Sequence, residues 1–127
     1  MSGDEIKISG KDGAFGGYLA SPGTGRGPGL VVIQEIFGVN QVMRDLTDGF
    51  AAQGFVAVCP DLFWRIEPGI DITDKTEAEW KRAFELFNAF NVEKGVNDIA
   101  ATIATNCLKP IPGCGAARLT VGCASIR

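Results

Sequence analysis

The sequence predicts an α/β protein built on a doubly wound, mostly parallel sheet with an antiparallel hairpin at its N-terminus. Three observations carry that expectation. "GLVVIQ", "FVAVCP" and "RLTVGC" are short and apolar throughout, as strands covered on both faces of a parallel sheet are. Between them lie segments whose apolar residues recur at helical spacing. Ahead of them stand two strand-like segments joined by a glycine-bounded turn. With 127 residues, 46% of them hydrophobic, the chain suits one domain with one core.

In chain order, "EIKIS" and "AFGGYLA" flank "GKDG", where Asp12-Gly13 is a hairpin signal. "SPGTGRGPG" follows, and its Gly23, Gly25 and Gly27 have the look of a phosphate-cradling loop. A dinucleotide fingerprint must follow a strand and open a helix, whereas these glycines precede the strand "LVVIQ", so the segment reads as a surface connection. Asn40 is placed to cap a helix with Val42, Leu46 and Phe50 on one side and Gly54 as its stop. The loop "DLFWRIEPGIDITDK" is long and aromatic, a composition that suits a pocket wall. Thr76 and Glu79 have capping-box spacing for a helix to about Phe90, with Trp80, Phe84 and Phe87 expected on its buried side. Asn91 can cap a further helix with the stripe Val92, Val96, Ile99 and Ile103, and "KPIPGCGA" breaks it before the last strand.

Composition removes several classes of function. A net charge of -3, from 12 Lys and Arg scattered among 15 Asp and Glu, leaves no basic stripe for nucleic acid. The opening "MSGDEIKISG" has neither a basic n-region nor an apolar h-region, and no run approaches a membrane span, so the expected location is cytoplasmic. Cys59, Cys107, Cys114 and Cys123 are widely and irregularly spaced and lack histidine companions, so no metal is expected and the thiols read as reduced. The chain contains no histidine, the commonest general base and the usual partner of a serine or cysteine nucleophile.

Ligands of open α/β sheets bind beyond the carboxyl ends of the strands, which singles out "QEIFGVN", "PDLFWR" and "GCASIR". Glu35, directly after "VVIQ", is either a partly desolvated carboxylate suited to proton transfer or a strand-end residue facing water. Arg65 follows Phe63 and Trp64, where its guanidinium could grip a substrate carboxylate in fork geometry or pair with Asp61 or Glu67. Cys123 stands where a nucleophile on the turn after a strand would stand.

"VVIQEIFGVN", "GFVAVCPDLFWR" and "FNVEKGVNDIAATI", in this order, resemble the N-terminal half of the dienelactone hydrolase family, the carboxymethylenebutenolidases of the α/β-hydrolase fold. The resemblance implies hydrolysis of an ester or lactone bearing a carboxylate, the type substrate being dienelactone from the breakdown of chlorinated aromatics. It implies a Cys-Asp-His triad and no metal or organic cofactor. By position, Glu35 matches the glutamate that takes the thiol proton and Ile36 the residue whose amide helps form the oxyanion hole. Phe37 would line the pocket, and Arg65 would bind the substrate carboxylate.

The nucleophile departs from the family pattern. A Gly-x-Cys-x-Gly elbow is expected, but Cys123 follows Gly122 at once and no closing glycine comes after it. The expectation is therefore a single incomplete domain over 1–127, truncated at the elbow and inactive alone, with a tail that looks like a shifted frame or an early stop. An unpaired apolar sheet edge predicts self-association. Two other readings stay open at this point: a non-catalytic binding module that keeps the half-pocket, and a small flavodoxin-like nucleotide-binding domain.

Overall fold

The computed structural model describes residues 3–105 and, as backbone, the strand 120–123. Cys107, Cys114 and the expected break at "KPIPGCGA" lie outside the described residues. The elements are β1 (Asp4–Gly10), β2 (Gly13–Ala20), β3 (Gly29–Ile33), α1 (Gln41–Ala52), β4 (Val56–Pro60), α2 (Glu77–Ala89), α3 (Val92–Ile103) and β5 (Thr120–Cys123). The order in the sheet is β1-β2-β4-β3-β5. β4, β3 and β5 run parallel, while β1 pairs antiparallel with β2 and β2 antiparallel with β4. Two antiparallel pairings exclude the flavodoxin-like alternative, whose sheet is parallel.

The hairpin closes with Gly10 opposite Gly13, so its two turn residues are Lys11 and Asp12. Strand alternation then sends side chains to two covered faces. Leu30 and Val32 of β3, with Ala57 and Cys59 of β4, pack against Met43 and Ala51 of α1. Val31, Val56 and Val58 face the opposite way, onto Ile99 and Ile103 of α3. Helices on both faces of the parallel strands are the doubly wound arrangement the apolar runs predict.

All three helix caps are as the sequence predicts. Asn40, Thr76 and Asn91 accept the backbone N–H of Met43, Glu79 and Lys94, satisfying one otherwise orphaned donor at each helix start. Glu79 does not complete the box on Thr76's own amide. Its carboxylate instead accepts from the Thr73 backbone N–H and from the hydroxyls of Thr73 and Thr76, which ties the preceding loop to α2.

The inward faces of the helices need correction. α2 buries Ala83 and Leu86, whereas Trp80, Phe84 and Phe87 are 38%, 53% and 59% exposed. Leu86 packs with Phe63 and Ile70 of the loop after β4, and small Ala83 beside it lets the helix approach. The aromatic stripe therefore points away from this cluster. In α1 the buried line is Met43, Thr47 and Ala51, with Leu46 and Phe50 at its margin and Val42 exposed. In α3, Val92 and Val96 are exposed, and Gly95, Asp98 and Thr102 are buried. Apolar spacing placed these faces of α1 and α3 in part, since Leu46, Phe50, Ile99 and Ile103 pack on the core, but it missed buried polar residues that are satisfied within the fold. Thr47 and Thr102 donate to the carbonyls of Met43 and Asp98 at 2.7 and 2.8 Å. Among the described residues, no helix is long and apolar enough to cross a membrane.

Candidate active site

The chain leaves β3 through Gln34, whose side-chain oxygen accepts the Leu62 N–H at 2.8 Å. The Gln34 amide thereby ties the exit of β3 to the loop that follows β4. Beyond it, Glu35 to Gly38 form a tight turn, with the Gly38 N–H donating to the Glu35 carbonyl at 3.3 Å. Gly38 has φ +80°, and a Cβ there would lie 2.1 Å from the Ile70 carbonyl oxygen. Both the backbone angle and the close approach therefore require glycine.

The loop after β4 holds this turn from outside. Ile72 N–H donates to the Phe37 carbonyl at 3.1 Å, and Asn40 Nδ2 donates to the Ile72 carbonyl at 2.9 Å. Asp71 pairs with Arg44 of α1 at 3.0 Å. Phe37 is buried, and Trp80 of α2 meets its ring edge-to-face at 5.1 Å. Trp80 in turn stacks on Phe84 and donates its indole N–H to the Asp74 carbonyl at 2.8 Å. The result is a shelf with an ordered peptide turn on one side and a half-exposed aromatic wall on the other.

Glu35 and Ile36 are partly exposed on that shelf. Among the described residues, the Glu35 carboxylate has no hydrogen-bond or ion-pair partner, and the Ile36 N–H has no acceptor. Both groups stand just past the end of β3, whose last residue, Ile33, is in register with Cys123 of β5. The ends of the two strands, and so the Glu35 turn and the Cys123 backbone, are neighbours. Two clefts lie elsewhere on the surface, one lined by Tyr18, Arg44 and Asp61 and the other by Trp64, Arg65 and Lys94. Glu35, Ile36 and Phe37 line neither.

Arg65 is held on another part of the molecule. Its guanidinium makes a two-pronged contact with Asp98 of α3, Nε to Oδ2 at 3.0 Å and an Nη to Oδ1 at 2.9 Å, and pairs with Asp12 of the hairpin turn at 2.9 Å. It also lies 4.8 Å from the centre of the Trp64 ring. These partners replace the Asp61 or Glu67 considered from sequence. The hydrogen bond to Asp98, ahead of the one to Asp12, strengthens Arg65's hold on its proton.

Asp61 instead accepts from the N–H groups of Phe63 and Gly69, bracing its own loop, while burial pushes its carboxyl above the ordinary range. Cys59 is fully buried in β4. Its thiol is pushed up to about 12, first by burial and then by the Asp61 charge, which makes it an inert core residue.

Residues 15–119 match the dienelactone hydrolase family. The chain belongs to that family. A carboxymethylenebutenolidase from Pseudomonas sp. strain P51 is 41% identical over 111 residues, which are 87% of this chain and 47% of that protein. A provisionally named carboxymethylenebutenolidase of Azospirillum brasilense is 68% identical over 87 residues, 68% of this chain and 38% of that one. The crystal structure of a provisionally named dienelactone hydrolase from Klebsiella pneumoniae superposes with a TM-score of 0.74 at 26% identity, covering 95% of this chain and 48% of that one. The chain thus spans less than half the length of these dienelactone hydrolase relatives, and it has their α/β-hydrolase fold.

Gln34 and Trp80 were not singled out as site residues from sequence. The aromatic spacing of α2 expects Trp80 in the core, whereas it lies partly exposed against the edge of Phe37. Gln34 carries no signal of its own, since its partner, the Leu62 amide, is 28 residues away.

Proposed function

We propose that this chain supplies the first half of an ester or lactone hydrolase site of the dienelactone hydrolase type. Glu35 is the carboxylate that takes up a thiol proton, the Ile36 amide is one oxyanion donor, and Phe37 with Trp80 forms the apolar wall. The substrate class is a small ester or lactone bearing a carboxylate. The observation that carries this reading is the Glu35 carboxylate and Ile36 amide, without partners among the described residues, at the end of β3 beside the end of β5.

The chemistry follows from those groups. A thiol attacks only as thiolate, so a nearby carboxylate that accepts its proton is an activating device. A backbone N–H without an acceptor, held by a braced turn, is preorganised to receive the charge that develops on a carbonyl oxygen. Cys123 is the nucleophile candidate by position alone. With no histidine in the 127 residues, nothing in the chain can serve as the base that a complete Cys-Asp-His set uses. Unaided turnover is therefore not expected.

Binding tests the half-pocket directly. In the full chain labelled with 5-fluorotryptophan, added dienelactone should move the Trp80 fluorine resonance saturably, and Phe37→Ala should weaken the response. A Trp80 signal that ignores the lactone at every concentration would remove the half-pocket reading.

A further inference from the structure

Asp98 is 2% exposed, the most deeply buried acid among the described residues, yet it lies on α3 far from the Glu35 turn in sequence. Its carboxylate takes three hydrogen bonds from two consecutive residues, Trp64 Nε1 at 2.9 Å and Arg65 Nε and Nη at 3.0 and 2.9 Å. A carboxylate with three well-placed donors, two of them from a guanidinium fork, is one of the few ways a charge can be buried without large cost. Trp64 is locked further by stacking on Phe15 of β2 at 5.3 Å, and Arg65 reaches the hairpin turn through Asp12. The start of the loop after β4 is thereby fastened to α3 and to the β1–β2 hairpin at once.

The same loop carries the contacts that shape the candidate site. Its far end supplies Ile72 N–H to Phe37, the Ile72 carbonyl to Asn40, and the Asp74 carbonyl to the Trp80 indole. Between the two ends, Asp61 bridges to Gly69, so the segment is braced rather than slack. Trp64 and Arg65 are joined to the Phe37 and Trp80 contacts through the backbone of this loop, which Phe63 and Ile70 pin to Leu86 of α2 and the Asp61–Gly69 bond holds in shape.

We infer that Arg65 is a positioning residue: gripped by Asp98, it fixes the loop after β4 and so sets the placement of Phe37 and Trp80 around the Glu35 turn. This rests on the half-site reading above for its functional meaning, but not for its test. It also bears on the expectation that Arg65 binds the substrate carboxylate, because the Nε–Nη2 side of its guanidinium is already occupied by Asp98, and the same Nη2 also meets Asp12. A ligand carboxylate using that side would have to displace a buried one.

The chain has two tryptophans, one at each end of the proposed connection. Incorporated 5-fluorotryptophan therefore gives two fluorine resonances, assigned with Trp64→Phe, and they can be read without any ligand or activity. Arg65→Gln should move the Trp64 resonance through direct contact and also move or broaden the Trp80 resonance. Should Arg65→Gln fail to fold, Asp12→Asn, which removes only the exposed partner, should move both resonances to a smaller degree. A Trp64 signal that moves while Trp80 stays fixed in the folded variant would overturn the inference, since a purely local or stabilising role predicts that result. Arg65→Lys, which keeps the charge but loses the fork, should leave the Trp80 resonance displaced. Restoration of the wild-type position by lysine would also count against it. Benzoate, as a carboxylate probe, should leave the wild-type Trp64 resonance in place. A saturable benzoate shift at Trp64 that is lost in Arg65→Gln would assign Arg65 to ligand binding instead. The half-site reading fails separately, on the lactone titration of Trp80.

Discussion

Both oxygens of Asp98 are taken by the Arg65 guanidinium, at 3.0 and 2.9 Å, in a contact that joins the third helix to the loop after β4 across 33 residues of sequence. Removing one member of such a pair leaves the other charge poorly solvated. Asp98→Ala should cost roughly 3 kcal/mol, the lower end of the range for breaking buried pairs, because the Arg65 side chain is 21% exposed and can recover some water. Urea denaturation of the two proteins measures it, and a loss below about 1 kcal/mol would place the contact with ordinary surface pairs.

The two faces of α2 should respond differently to truncation. Leu86 is fully buried, so Leu86→Ala should cost about 2–5 kcal/mol. Phe87 is 59% exposed, and Phe87→Ser should change stability by about 0.5 kcal/mol or less while improving solubility. Thermal denaturation of both variants checks the orientation of the helix.

Thr76→Ala should cost about 1 kcal/mol through loss of the α2 cap. The Glu79 carboxyl is held below its ordinary value of 4.5, first by the Thr73 backbone N–H and then by the Thr73 and Thr76 hydroxyls. A depressed carboxyl stabilises the folded chain above pH 4.5, and that stabilisation fades as pH falls below 4.5 toward the folded value. Asp61 has the opposite sign. Burial raises its carboxyl above 3.8, so its contribution is largest at low pH and is lost as pH rises from 3.8 through the folded value. Comparing pH–stability curves of Glu79→Gln and Asp61→Asn with the parent should show the two differences sloping in opposite directions.

Cys59 should resist alkylation in the folded chain and become labelled only on unfolding, since it is fully buried and its thiol is pushed up to about 12. Mass spectrometry of chains treated with iodoacetamide before and after denaturant reads this directly.

The two sheet edges differ in sequence. β1 carries Asp4, Glu5 and Lys7, the charges that discourage edge-to-edge pairing, whereas the strand "TVGC" of β5 carries none. We expect association through β5, seen as a larger-than-monomer species in size-exclusion chromatography that Val121→Lys disperses. A monomer at all concentrations would refute it.

Much of the fold was legible because its signals are local. Continuous apolar runs marked the parallel strands, and Asn40, Thr76 and Asn91 marked helix starts through bonds that span three residues. The helix faces were less legible, because Thr47, Asp98 and Thr102 are buried polar residues whose partners compensate them, and an apolar count cannot see that. Glu35, Ile36 and Phe37 could be placed at a strand end from sequence. The partners of Arg65 could not, since Asp12 and Asp98 reach it only through tertiary folding.

Hydrolysis by the purified chain distinguishes half of a site from a working one. With dienelactone or p-nitrophenyl acetate, the parent chain and Cys123→Ser should be indistinguishable from buffer beyond a single stoichiometric reaction. Sustained turnover by the parent that Cys123→Ser abolishes would contradict the half-site reading and make Cys123 a working nucleophile.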